Sequence, residues 1–515
     1  MKRCATSFPL ALILATGACG SEEAFELQTS NSERLLETAA AAHLDAQNEA
    51  FDAITVVGDL DGDGIDDAIV RTTTAYYLPN DLLQIDGNIY VLYGGQGLAG
   101  QDTLQGLPRL TGAWGFSGGG TVTAVGDVDG DGLADVLMVG ARNMLCAGNP
   151  DGVGDELRTG AYLMYGNRTR VAGEAPIASV TTFLRDSLPC TMVSDVTGLG
   201  DLDGDGKADF AVARTGIHPG EPSEVMAFYG RSSRWPAVVD LVATADARIG
   251  WPTPAVGSYL PGIAGIGDVD GDGYTDFVLR DALPSARDLR LVRGSATRLA
   301  GSVAAETLSQ TTLLADTSCE LAGQSAAPVG DLDQDGVDDF VLVGCRGDGR
   351  RITVVDRLFY GRTAGFPAEV TVADADAALP LSLREAGVGS VAGGDVDGDG
   401  IPDLVVGDGA LHDGNGGVHV MKGNGTRLAG EIDPSTRGLT YVGRPRHASN
   451  CDFAPEDCII LERAGYDVSI GDLTGDHRLD IFILAGGVFG DVGWRDIDDS
   501  ATSRAYILSP EGTNP

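Results

Sequence analysis

GDVDGDGLADVLMVG, residues 126–140, sets Asp127, Asp129, Asp131 and Asp135 within nine residues and then turns apolar. Like charges this close repel one another, so the segment is either a solvated acidic turn or a loop closed around a cation. The stretch recurs. GDLDGDGIDDAIV begins at Gly58, GDLDGDGKADFAVA at Gly200, GDVDGDGYTDFVL at Gly267, GDLDQDGVDDFVLV at Gly330 and GDVDGDGIPDLVV at Gly394; a degenerate GDLTGDHRLDIFIL begins at Gly471. Seven copies, 63 to 77 residues apart, mark a repeat architecture. A solvated turn accounts for one copy and not for seven.

Each copy reads D-x-D-x-D-G-x-x-D. Carboxylates at positions 1, 3, 5 and 9 and the carbonyl of position 7 make a hard, all-oxygen shell of the kind calcium takes. The expected ligand sets are Asp59, Asp61, Asp63, Ile65 and Asp67; Asp127, Asp129, Asp131, Leu133 and Asp135; and Asp201, Asp203, Asp205, Lys207 and Asp209. The next are Asp268, Asp270, Asp272, Tyr274 and Asp276; Asp331, Asp333, Asp335, Val337 and Asp339; and Asp395, Asp397, Asp399, Ile401 and Asp403. The seventh set, Asp472, Thr474, Asp476, Arg478 and Asp480, loses a carboxylate to Thr474 and the position 6 glycine to His477. Six loops are therefore expected to bind calcium and the seventh weakly or not at all. An EF-hand would need a glutamate at position 12, where the first two copies have Val70 and Met138, and a helix behind the loop. β-branched and aromatic runs such as Phe340–Val343 and Ile481–Leu484 follow instead, and they read as strands.

A further strand recurs in every interval, at IYVLYG (89–94), AYLMYG (161–166), VMAFYG (225–230), LRLVRG (289–294), DRLFYG (356–361), VHVMKG (418–423) and AYILSP (505–510). Each unit thus reads strand, acidic loop, strand, variable connection, strand, with room for a fourth. Four short strands repeated seven times give an all-β fold, a seven-bladed β-propeller over residues 51–515, with each calcium loop between the two inner strands of a blade.

These residues resemble the FG-GAP repeat proteins, such as the N-terminal propellers of integrin α-subunits, over about residues 51–515. The aspartate loops carry the resemblance. The FG and GAP elements are matched only by Gly115-Phe116 and Val139-Gly140-Ala141 in the second repeat. The resemblance implies calcium in the loops and a role in binding or adhesion.

Residues 1–18 read as an export signal: Lys2 and Arg3 precede FPLALILATGA (8–18), an apolar run too short to span a bilayer. TGAC, ending at Cys19, resembles the bacterial lipobox, with Thr16 where leucine is usual. Cys19 is the expected lipidation site, giving an exported outer-membrane lipoprotein that faces the periplasm or the cell surface. Residues 19–50 read as a tether. Leu35, Leu36, Ala39, Ala40 and Leu44 stand at helical spacing, and a leader strand such as AFELQ would complete the last blade. Outside the signal and Cys19 remain Cys146, Cys190, Cys319, Cys345, Cys451 and Cys458. In an oxidising compartment they are disulfide candidates, and proximity favours pairing them in that order.

A formal charge of −40 excludes nucleic acid and anionic membrane surfaces as general partners. Gly115–Gly119 matches G-x-S-x-G, but a turn and an acidic loop follow where that motif needs a helix. The six histidines share no spacing, and Arg346-Gly347-Asp348 reads as a turn. The chain is thus expected to be a monomeric, calcium-stabilised binding scaffold for protein or glycan partners, not an enzyme. Its variable connections (71–87, 141–160, 485–503), with Tyr76, Tyr77 and Trp494, would lie opposite the calcium loops. A calcium-dependent propeller enzyme, a polysaccharide lyase or a phospholipase-like hydrolase, is the alternative.

Overall fold

The computed structural model describes residues 33–509 apart from 47–48, 78–82, 96–97, 99–102, 113–121, 141–159, 189–190, 217–221, 252–261, 281–288, 309–310, 315–324, 344, 348–351, 382–389, 445, 448–458, 487 and 490–502. The signal segment, Cys19, AFELQ, Gly115–Gly119, Trp494 and every disulfide candidate except Cys345 lie outside the described residues.

Seven sheets stand round a ring, one for each acidic loop, and blades are numbered here by those loops. Blade 2 shows the unit. Val122–Gly126 runs into the loop and Asp135–Val139 leaves it; Gly160–Met164 and Thr181–Arg185 follow, all antiparallel. The second strand is buried along its whole length, which explains its unbroken apolar sequence. In blade 1 the second strand, Asp67–Tyr77, pairs with Leu83–Leu92 out to Tyr77 opposite Leu83. Residues 71–77 and 83–87, expected as a variable connection, therefore continue the hairpin.

Each unit lends a strand to the blade before it. Between its third and fourth strands the chain crosses to the preceding blade and adds a short outer strand, parallel to that blade's fourth. Glu174–Pro176 does this on blade 1, Val238–Asp240 on blade 2, Gly301–Ala304 on blade 3, Glu369–Thr371 on blade 4 and Gly430–Glu431 on blade 5. One turn of α- or 3-10 helix then leads back, as at Leu241–Thr244 and Pro434–Thr436.

The leader completes the same pattern across the chain ends. Glu33–Leu35 is the outer strand of blade 6, Leu36–Ala39 is the helical turn, and Ala42–Asp45 is the fourth strand of blade 7, paired with Ser503–Leu508. The expected amphipathic helix is thus a strand, a turn and a strand. Its apolar residues do not share one face: Leu36 packs in the core between blades 6 and 7, and Leu44 in the core between blades 7 and 1.

The core is divided among the blade junctions, with one buried cluster in each of the seven. Between blades 2 and 3, Phe210 and Phe228 stack at 4.9 Å with Trp235 edge-on. Between blades 4 and 5, Phe340 and Phe359 stack at 5.4 Å. Among the described residues no helix is long and apolar enough to cross a membrane.

Candidate metal centres in the blade loops

The position 1 carboxylate builds its own loop. Asp59 Oδ1 accepts from the N–H groups of Gly62 (2.6 Å) and Asp63 (3.2 Å), and Oδ2 accepts from Gly64 (2.8 Å). Asp127, Asp201, Asp268 and Asp395 do the same in their loops, and Asp331 makes two of the three bonds. The bend needs a left-handed residue at position 6, where Gly64 has φ 86°. Position 9 ties the loop to the blade. Asp67, wholly buried, accepts from Leu60 N–H and, through its other oxygen, from Gly94 N–H, both at 2.8 Å. Gly94 is required there, since a Cβ would lie 2.2 Å from the Asp66 carbonyl.

With these bonds made, the carboxylate oxygens of positions 1, 3 and 9 converge. One oxygen from each of Asp59, Asp61 and Asp67 lies within 4.8 Å of the others, and so do those of Asp127, Asp129 and Asp135. The same holds for Asp201, Asp203 and Asp209, for Asp268, Asp270 and Asp276, and for Asp331, Asp333 and Asp339. These clusters could hold a metal ion. The position 5 carboxylates, expected as ligands, are outside the five sets. They are engaged otherwise: Asp63 Oδ1 accepts from the Ile65 N–H, and Oδ2 accepts from Arg170.

Two observations test the fit of a cation. Asp270 is 8% exposed and its Oδ1 has no hydrogen bond, an orphaned buried oxygen within the Asp268–Asp276 cluster. Burial also pushes the position 9 carboxyls up, to about 7 at Asp67, Asp135, Asp209, Asp276 and Asp339 and about 6 at Asp403, with the neighbouring aspartates adding to the rise. Oxygen donors short of positive charge suit a hard divalent ion. The seventh loop folds alike without the full donor set. Asp472 accepts from Gly475, Asp476 and His477, and His477 adopts φ 67° in place of glycine. Loop shape is therefore set by the position 1 carboxylate, and the acidic cluster that could hold a metal ion is added to it.

An arginine from the next blade clamps four of the loops. Arg170 of blade 2 donates to Asp61 and, at 2.6 Å, to Asp63 of blade 1, and it lies 4.8 Å over the ring of Tyr93. Arg234 binds Asp129 and Asp131 over Tyr165; Arg298 binds Asp203 and Asp205 over Tyr229; Arg427 binds Asp333 and Asp335 over Tyr360. Each tyrosine hydroxyl accepts the backbone N–H just after the arginine, at Val171, Trp235, Leu299 and Leu428. Blade 5 has Gly365 where the arginine would fall, and Arg293 of blade 4 takes that space, bonding Asp270 at 3.0 Å. Lys422 serves Asp397 at 2.7 Å. Main-chain bonds run alongside, from position 8 of one loop to position 1 of the preceding loop, as in Ala134 N–H to the Asp59 carbonyl (2.9 Å). The sequence carried a signal for the clamp, an arginine four residues after the glycine of the third strand, as in Tyr165-Gly166 with Arg170.

The fold and its loops define a seven-bladed β-propeller with acidic clusters able to hold metal ions. Comparison with protein-family models and with curated proteins returned no match.

Proposed function

We propose that the chain is a calcium-stabilised propeller of the FG-GAP kind that acts as a binding scaffold for protein or glycan partners at the cell envelope. The observation that carries this reading is the recurrence of one all-oxygen carboxylate cluster, in the same place, in blade after blade. Oxygen-only donors favour calcium over softer ions, and a ring of such sites fits a structural use of the metal better than a single reactive centre. The loops between second and third strands, and between blades, emerge opposite the acidic loops, because successive strands are antiparallel. That face is the proposed recognition surface, held rigid by the loops beneath. Export behind residues 1–18 and lipidation at Cys19 belong to the same proposal and place the ring outside the cytoplasm, where calcium is plentiful. The test is a glycan array and an envelope pull-down, each run in millimolar calcium and in EDTA. Calcium-dependent capture supports the reading; a melting temperature indifferent to calcium overturns it.

A further inference from the structure

In the six blades that carry a position 3 aspartate, that side chain meets a cation, and the cation arrives by two routes. Where the third strand ends in Tyr-Gly, at Tyr93, Tyr165, Tyr229 and Tyr360, an arginine of the next blade lies over that ring. Its fork takes position 3 and position 5 together. Blades 4 and 6 have Arg293 and Lys422 in place of the tyrosine, and each pairs with position 3 of its own blade. Position 5 is left out of that pairing.

Blade 4 carries this furthest. Asp272 Oδ1 accepts from the Tyr274 N–H at 3.1 Å, and among the described residues no cation reaches its other oxygen. The charge of Asp272 bears on both Asp270 and Asp276 of the cluster. Asp270 Oδ1, on a side chain 8% exposed, has no hydrogen bond, while Arg293 holds Oδ2 at 3.0 Å. The next blade adds a further carboxylate, since Asp338 Oδ2 accepts from the Asp268 N–H at 2.9 Å. Ala134, Ala208, Thr275 and Pro402 stand at that place beside the four clamped loops.

The position 1 carboxylate makes the same backbone bonds in the blade 4 loop as in blades 1 to 3, so rigidity does not set it apart. Charge does. Calcium affinity in such loops follows the count of charged ligands as well as rigidity. On the calcium reading of the loops, we infer that the blades are not equivalent: the blade 4 loop is the high-affinity site and fills before those of blades 1, 2, 3 and 5. Arg170, Arg234, Arg298 and Arg427 then set affinity as well as joining blades. Each gives up part of the attraction for calcium in exchange for a link that needs no metal.

The experiment titrates the metal-stripped full chain with calcium and follows hydrogen exchange peptide by peptide, with native mass spectrometry counting the metal. Residues 268–276 are expected to gain protection at a calcium concentration about tenfold below that for residues 59–67, 127–135, 201–209 and 331–339. Asp272→Asn should remove that lead and keep the loop, since the amide oxygen can still accept from Tyr274. Arg298→Gln frees Asp203 and Asp205 and should let residues 201–209 fill at lower calcium, a gain that mere loosening of the loop would not produce. Protection of the five loops together, or of residues 268–276 after the others, overturns the proposal. So does an Arg298→Gln loop that needs no less calcium than before. In those cases calcium is still counted and the reading of the loops stands; no calcium at any loop overturns both.

Discussion

Arg170 reaches across from blade 2 to hold Asp61 and Asp63 of blade 1 while lying 4.8 Å over the ring of Tyr93. One side chain therefore joins two blades and an acidic loop. Its guanidinium is partly exposed, so each ion pair contributes modestly, and the stacking adds about 0.5–1 kcal/mol. Arg170→Ala is expected to cost about 1–2 kcal/mol in all. Lysine cannot bridge two carboxylates with a planar fork, so Arg170→Lys is expected to recover only part. Urea denaturation gives the cost. Hydrogen exchange over residues 59–67 should quicken in Arg170→Ala, and unchanged exchange there would show that the clamp does not hold the loop.

Position 1 and position 3 substitutions are expected to differ in kind. Asp127 organises backbone as well as offering an oxygen to the cluster, accepting from Gly130, Asp131 and Gly132. Asp127→Ala should lose one calcium and destabilise the loop even in EDTA. Asp129→Asn should lose the same calcium and melt close to the parent in EDTA. Asp472→Ala, in the degenerate loop, should leave the calcium count unchanged. Metal counting by native mass spectrometry and melting curves with and without EDTA separate the three.

Calcium should raise the melting temperature strongly, since a ligand at 100 times its dissociation constant stabilises by about 2.7 kcal/mol per site. The effect should also depend on pH. The position 9 carboxyls are pushed up to about 7 in blades 1 to 5, so the metal-free fold favours their protonated form. Their contribution is full at acid pH, below the unfolded value, and is lost as pH rises through about 7. Metal-free protein should therefore melt progressively lower from pH 5 to pH 8. Calcium needs the ionised form, so the gap between calcium and EDTA curves should widen over the same range. A gap constant with pH would count against these carboxyls as ligands.

Closure of the ring can be tested at Leu44, 1% exposed in the core that joins blades 7 and 1. Leu44→Ala is expected to cost about 2–5 kcal/mol, as elsewhere in a well-packed core. Deleting residues 1–46 should leave Ser503–Leu508 as a bare edge and promote association. Limited proteolysis and light scattering check both; a truncated chain that stays monomeric and protease-resistant would contradict this account of closure.

The seven loops and their inner strands were legible because short-range chemistry sets them: alternating aspartates, a left-handed glycine, then a buried apolar run. The lent outer strands were not. Glu174-Ala175-Pro176 and Glu369-Val370-Thr371 are brief, mostly exposed, and pair in a sheet other than that of their own unit. The leader misled for a related reason, since Leu36 and Leu44 serve two different cores and only imitate one helical face. The partner of a position 5 aspartate was not legible either, since it lies about a hundred residues on, as Arg170 does from Asp63.

The leader strands also set the order of assembly. Ala42–Asp45 must wait for Ser503–Leu508, and Glu33–Leu35 for Leu439–Val442, because a chain is made from its N-terminus. Blades 1 to 5 can form in turn as they appear, each borrowing its outer strand from the unit that follows. The first residues in line are among the last to find partners, and the loop closed by that pairing spans nearly the whole chain. Contacts so distant in sequence form slowly. Until they do, the nascent protein is an open arc with two unmatched rims, and its exposure to misassembly ends only when the final strand arrives.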